Sequence, residues 1–185
     1  MTDADTLLAV ASVPDWLEQV VLRPVRAEDL LALEWEGEFS HFRRMYQEVY
    51  ERASKGHAQM WLAELPGVGL VGQAFVQFFG HGRAGWGSGQ HHAYVHGLRV
   101  RPELRGRGLG NRIMQWLEQD VKTRGYRIVT LNVVETNRAA RRFYERRGYR
   151  VVALDPGQWS YIDQHGETQQ VNEPGWRMVK RLGRR

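Results

Sequence analysis

The sequence predicts an α+β fold, a mixed and mostly antiparallel central sheet of about seven strands flanked by about four helices. Three observations point there. Gln59 to Glu64 and Leu70 to Phe79 are β-prone runs on either side of Pro66-Gly67-Val68-Gly69, which is the signature of a hairpin. His92 to Val100, a glycine-rich turn, an amphipathic helix and a run from Arg127 to Val134 make one βαβ crossover. Helical periodicity recurs both before and after this hairpin-rich centre.

Taken in order, residues 1–20 read as an N-terminal extension, with Trp16 and Leu17 able to dock on the body. Residues 21–185 read as a single domain. A short strand is expected from Val20 to Val25, and Ala27, Glu28 and Asp29 open a helix whose first-turn acids suit its dipole. Ser40 is a candidate cap for the next helix. Phe42, Met45, Tyr46, Val49 and Ala53 recur along it at helical spacing, a core stripe, and Gly56 ends it. After the hairpin, a loop from Gly80 to Gly89 leads to the strand His92 to Val100. The crossover helix shows Leu109, Ile113, Leu117 and Val121 on one face and stops at Gly125. An arginine-rich helix follows the strand at Arg127 to Val134 and is capped by Gly148. Tyr149 to Leu154 and Trp176 to Leu182 supply the last two strands, joined by a long polar loop from Asp155 to Pro174.

With 185 residues, 42% of them hydrophobic and 11% aromatic, the chain can bury one sizeable core. It has no cysteine, hence no disulfide framework and no thiol nucleophile. Asp3 and Asp5 precede only a short apolar run, Leu7 to Ala11, and no run approaches the roughly 20 residues that span a bilayer. A soluble cytoplasmic protein without a membrane partner is expected. The net charge of +5 is carried almost wholly by arginine, since Lys55, Lys122 and Lys180 are the only lysines. Arg138, Arg141, Arg142, Arg146 and Arg147 crowd one short helix, which raises nucleic acid as a partner. A solvated helix face explains such crowding more simply.

Arg105 to Gly110 reads Arg-Gly-Arg-Gly-Leu-Gly, between a strand and a helix start. Helix N-termini carry unpaired N–H groups and the positive end of the macrodipole, and glycine lets a ligand approach the backbone, so the turn suits a pyrophosphate. A dinucleotide fingerprint starting at Gly106 and Gly108 needs a third glycine at 111, where Asn111 stands. Glu135 has the look of a ribose-binding acid, yet too few residues follow for the remaining βαβ units. No Gly-Lys-Ser/Thr follows either, which removes a P-loop. What fits is R-x-x-G-x-G, with Arg105, Gly108 and Gly110, which resembles the acetyl-CoA turn of the GNAT superfamily of N-acetyltransferases. Downstream, Asn137, Ala140, Tyr144, Gly148 and Tyr149 match that family's N-x2-A-x3-Y-x3-G-[FY] segment. The resemblance is clear over residues 92–154 and looser, in element order, from Leu22 onward.

The resemblance implies an enzyme, an N-acetyltransferase that moves an acetyl group from acetyl-CoA as cosubstrate to a primary amine of a small molecule or protein. By the same resemblance, backbone N–H groups across Arg105, Arg107, Gly108, Leu109, Gly110 and Asn111 hold the pyrophosphate, with the Arg105 and Arg107 side chains adding charge. Backbone at Leu98 and Val100 pairs with the pantetheine arm, an N–H near Gly97 or Leu98 faces the carbonyl oxygen, and Asn137 contacts the arm. Tyr144 matches the leaving-group tyrosine. At reference values, proton donation from a tyrosine to a cysteine-like thiolate is uphill by about 2 kcal/mol, so hydrogen bonding to the sulfur matters as much.

The base for the amine is open on sequence alone. His92, Tyr94 and His96 occupy the matching face of the central strand, where the family often places a carboxylate. His96, with a reference pKa near 6.5, is one candidate; Glu36 and Glu38, at the end of the first helix, are another; an amine that arrives neutral needs none. His91, His92 and His96 form no metal site, because four residues along a strand separate side chains by about 13 Å. The acceptor is expected between the first two helices, the Gly80 to Gly89 loop with Trp86, and the Asp155 to Pro174 loop with Trp159 and Tyr161. Two rival readings are a non-catalytic acyl-CoA-binding or regulatory domain and a basic nucleic-acid-binding module. A homodimer is allowed for.

Overall fold

Strands β1 (Val21–Pro24), β2 (Ala58–Leu65), β3 (Gly69–Phe79), β4 (His92–Val100), β5 (Ile128–Val134), β6 (Arg150–Asp155) and β9 (Gly175–Arg181) form one sheet in the order β1-β2-β3-β4-β5-β9-β6. This is a computed structural model, and it describes residues 4–79 and 92–183. Among the described residues only the β4–β5 pair is parallel. The predicted mixed, mostly antiparallel seven-stranded sheet is therefore what forms. Four α-helices accompany it among the described residues: α1 (Ala4–Val10), α2 (Arg43–Ser54), α3 (Leu109–Thr123) and α4 (Arg138–Arg146).

Alternation along β2 shows how the sheet is held. Met60 and Leu62 face one core with Val49, Leu33, Trp35 and Tyr46, while Trp61 and Ala63 face the other with Ile113, Leu117 and Val121. Leu109, Ile113, Met114, Leu117 and Val121 line the buried face of α3, as their spacing requires. The extension packs into the same core through Leu7, Ala11 and Trp16.

Three local expectations fail. No α-helix forms after Ala27; the chain makes three 3₁₀ turns, Ala27–Asp29, Ala32–Glu34 and Ser40–Phe42. Between the last two, Trp35 (φ 50°), Glu36 (φ 58°) and Gly37 (φ 97°) are left-handed, which costs roughly 1–2 kcal/mol for each non-glycine residue. Two contacts hold this turn: Trp35 Nε1 donates to the buried Gln73 Oε1 at 2.6 Å, and Glu36 pairs with Arg101. Ser40 thus opens a 3₁₀ turn and does not cap α2, which starts at Arg43 behind Phe42. The Asp155 to Pro174 loop contains a separate hairpin, β7 (Gln158–Ile162) with β8 (Thr168–Asn172). Its strands are largely exposed, so they lack the apolar alternation that reveals a half-buried strand.

Candidate active site

β4 ends in a 3₁₀ turn, Pro102–Leu104, and the chain passes Gly106 (φ 74°) and Gly108 (φ 92°) before α3 begins at Leu109. Leu104 and Leu109 are fully buried and anchor the turn at both ends. Among the described residues, none of the six consecutive amides from Gly106 to Asn111 donates to a backbone carbonyl. They open at the positive end of a fifteen-residue helix, the arrangement that accepts a phosphate. Arg105 Nε donates to Val100 O at 3.1 Å and Arg107 Nη1 to Ala11 O at 3.4 Å, and neither pairs with a carboxylate among the described residues. The Asn111 side chain is already engaged, since Arg147 donates to both its Oδ1 and its backbone carbonyl. At Gly110 a Cβ would meet only ordinary contacts, Phe143 at 3.7 Å and Val100 at 3.9 Å.

β4 pairs with β5 only from His92 to Tyr94; beyond that, β4 stays with β3 and β5 stays with β9. A cleft of about 730 Å³ opens there, lined by Val95, His96, Gly97 and Arg99 on one side and Asn132, Val133 and Val134 on the other. Gly97 (φ 63°) lies where the β3–β4 register shifts, and this bulge swaps the faces of the strand. Strict alternation from His96 would put Leu98 and Val100 on the His96 face. Instead both pack into the core with α3, and Arg99 turns to the His96 side to donate to the Tyr46 hydroxyl at 2.8 Å. Past Tyr94 the β5 side of β4 has no strand pairing among the described residues, and there Arg105 Nε donates to the Val100 carbonyl.

Tyr144 is buried on α4, its ring edge-on to Phe143 and Tyr149. Its hydroxyl bonds to no described residue. Burial pushes the phenol well above its ordinary pKa, Arg147 opposes this weakly, and the nearby Tyr94 of the cleft adds to it. The group stays protonated and acts as a hydrogen-bond donor more readily than as an acid that gives its proton away. Asn137 caps α4, its Oδ1 accepting from the Ala140 amide at 3.0 Å, which leaves its NH₂ for another partner.

His96 is stacked along Tyr94 and edge-on to Phe75, and its buried Nε2 has no partner among the described residues. Burial, with the positive fields of Arg99 and Arg52, lowers its pKa to about 4. The reference value near 6.5 thus does not apply: the ring is neutral at pH 7 but weakly basic. Glu36 and Glu38 do not line the cleft. Both Glu36 oxygens accept from Arg101 at 2.7 Å, and this pairing holds the carboxyl below its ordinary range; Glu38 is exposed. His91 and the Gly80 to Gly89 loop with Trp86 lie outside the described residues. Of the five arginines crowding α4, Arg141 pairs with Glu145 and lies over Trp176, while Arg147 reaches Glu118 and Asn111.

The far wall of the cleft contains residues that the sequence pattern hid. Phe42 is edge-on to Tyr161 at 4.9 Å and stacked near Trp159 at 6.3 Å, joining the start of α2 to β7. Phe42 and Tyr46 had the periodicity of core residues. Arg99 carried no signal, because nothing in the alternation announces a bulge.

The chain matches the family model described as "Acetyltransferase (GNAT) family" over residues 26–149, more than half its length. A Bacillus subtilis (strain 168) protein named Uncharacterized N-acetyltransferase YesJ is 33% identical over 72 residues, 38% of this chain and 40% of that protein. The match thus spans less than half of that relative's length. Among solved structures, Chaetomium thermophilum Naa20 with a bisubstrate analogue is similar at TM-score 0.68 and 23% identity, covering 88% of this chain and 87% of that one. Arabidopsis thaliana NAA60 in complex with acetyl-CoA gives TM-score 0.67 at 20% identity, over 88% and 98% of the two chains. Vibrio cholerae SpeG, a spermidine/spermine N-acetyltransferase, gives 0.64 at 14% identity, over 90% and 94%. These likenesses place the fold, and the matched model places the chain: it belongs to the acetyltransferase (GNAT) family.

Proposed function

We propose that this protein transfers an acetyl group from acetyl-CoA to a primary amine of a small molecule or protein. The observation that carries the reading is the run of six unpaired amides, Gly106 to Asn111, beside a cleft where two parallel strands part. These fit a diphosphate and an extended arm respectively. Arg105 and Arg107 add positive charge at the turn. The edge of β4 past its pairing with β5 offers backbone at Leu98 and Val100 to the arm, with the Val100 carbonyl shared with Arg105, an N–H at Gly97 or Leu98 faces the carbonyl oxygen, and the Asn137 NH₂ lies on the same path. When bound, acetyl-CoA supplies an activated thioester. The Tyr144 hydroxyl, held protonated by burial, donates a hydrogen bond to the leaving sulfur.

His96 is the base in this reading, and its pKa of about 4 limits it to amines that arrive neutral or to a site whose positive field is offset. Glu36 is committed to Arg101, which favours His96 over the carboxylates. The reading includes a cytoplasmic location; no helix among the described residues is long and apolar enough to cross a membrane. Calorimetric titration with acetyl-CoA followed by a screen of amine acceptors is the test. Micromolar binding with transfer to at least one amine is expected; binding without transfer to any amine would turn the reading towards an acyl-CoA-binding domain.

A further inference from the structure

The cleft contains a cation with no carboxylate partner. Arg99 donates one of its five N–H groups to Tyr46 and lies 3.8 Å from the centroid of Phe39 and 5.6 Å from that of Phe42. Among the described residues no carboxylate lies within ion-pair distance of it, and Arg52, which lines the same cleft, has none either. The aromatic faces fix the guanidinium plane and the Tyr46 bond fixes its rotation. Its remaining donors are thus presented as a preformed fork, the geometry that suits a carboxylate.

The acids of the cleft are distributed differently. Asp155 is occupied by Arg177, Asn132 and the Gly157 amide, whereas Glu48 and Glu173 line the cleft with no side-chain partner among the described residues. The cleft therefore offers both signs of charge. An acceptor with only positive charges can pair with Glu48 or Glu173 but leaves Arg99 and Arg52 without a counter-charge. An acceptor with one amine and one carboxylate meets a partner for each.

Resting on the acetyl-transfer reading above, we propose that the acceptor is a small amine that also carries a carboxylate, of the amino-acid class, and that Arg99 holds that carboxylate and sets specificity. Arg99 is three residues from His96 on the strand that faces the acceptor, roughly 10 Å of backbone, and its long side chain spans part of that distance. A carboxylate on Arg99 thus leaves an amine within reach of Gly97 and His96. Binding there has a second effect. The Arg99 and Arg52 charges are part of what weakens His96 as a base, and an anion between them offsets that field. The substrate would then relieve the part of the shift that comes from the arginines, while the larger part, from burial, stays.

The test uses the full chain with acetyl-CoA and matched pairs, each amino acid against its carboxamide, plus spermidine and peptides with acidic N-termini. Values of kcat/KM are compared at equal concentration of neutral amine. The carboxylate member should be preferred on the order of 10- to 100-fold, the range of a charge-assisted hydrogen bond. Arg99→Met should bring that ratio close to one and Arg99→Lys should keep part of it, whereas a purely structural role for Arg99 would lower both members together and leave the ratio intact. If Arg99→Met does not fold, the wild-type ratio and Arg99→Lys decide. No preference in the wild type, a preference that survives Arg99→Met, or transfer confined to spermidine or to peptides overturns this inference and leaves acetyl transfer standing. Acetyl-CoA binding without transfer to any acceptor overturns the catalytic reading itself.

Discussion

Gly97 and Phe75 touch so closely that a Cβ on Gly97 would lie 2.8 Å from the Phe75 ring. The glycine is also left-handed, at φ 63°, so sterics and backbone conformation both exclude a side chain there. Gly97→Ala should therefore lower stability by about 2 kcal/mol or more and relax the bulge that turns Arg99 into the cleft. Thermal unfolding checks the first effect. A change in acceptor KM larger than the change in acetyl-CoA affinity checks the second.

Gly108→Ala tests the turn proposed to hold the cofactor. Its φ of 92° disfavours any L side chain, and the new methyl would press on Leu17 at 3.2 Å. The expected penalty is therefore strain at the turn of about 1 kcal/mol, together with weaker acetyl-CoA binding in calorimetry. Unchanged affinity in a folded variant would remove the turn from the cofactor site.

Tyr144→Phe keeps the ring and removes only the hydroxyl. Acetyl-CoA affinity should hold, while single-turnover transfer should fall about 10²-fold, the scale of a positioned donor. Equal transfer rates in wild type and variant would reject the leaving-group role.

His96→Gln has two pH signatures. The folded pKa of about 4 lies below the ordinary value near 6.5, so between them the unfolded chain binds more protons than the folded one. The stability that comes from keeping the ring neutral is full above pH 6.5 and is lost as pH falls towards 4. The difference in melting temperature between wild type and His96→Gln should change across that window and stay flat above it. In activity, an acid limb near pH 4 in kcat/KM, absent from the variant, is expected if His96 takes the proton.

Glu118 tests the scaffold. Its carboxylate accepts from Lys180 at 2.6 Å and Tyr149 at 3.2 Å and pairs with Arg147 at 3.1 Å, tying α3 to β9 and to the end of α4. Glu118→Ala leaves two poorly exposed cations without their counter-charge and should cost about 3 kcal/mol or more in urea unfolding. The exposed half of the Glu36–Arg101 pair makes Glu36→Gln a milder change, about 1 kcal/mol or less, with little effect on transfer.

What the sequence made legible was what depends on local chemistry. The turn at Gly106 and Gly108 and the stripe on α3 follow from glycine punctuation and helical period, and both are found at their expected places. The βαβ crossover likewise appears as the parallel β4–β5 pair. The segment after Ala27 misled because its acids suit a helix start, while the decisive contact, Trp35 to Gln73, joins residues 38 apart in the chain. Arg99 was missed for a related reason: one residue of bulge reverses the faces of everything after it, and that shift depends on the register with β3. His96 lines the cleft, but its weak basicity was not legible, because burial lowers its pKa most and Arg99 on its own strand and Arg52 on α2 lower it further.

The bond from Arg107 to the Ala11 carbonyl joins residues 96 apart, and Leu17 lies against Gly108. The beginning of the chain therefore buttresses the Gly106–Asn111 turn proposed for the cofactor. A ligand that binds the turn only when the first helix is docked must stabilise that docking by the same free energy it gains from it. Protection of residues 4–19 from hydrogen exchange should then rise with ligand concentration, and a tag or truncation at the N-terminus becomes a perturbation of affinity at a site almost one hundred residues downstream.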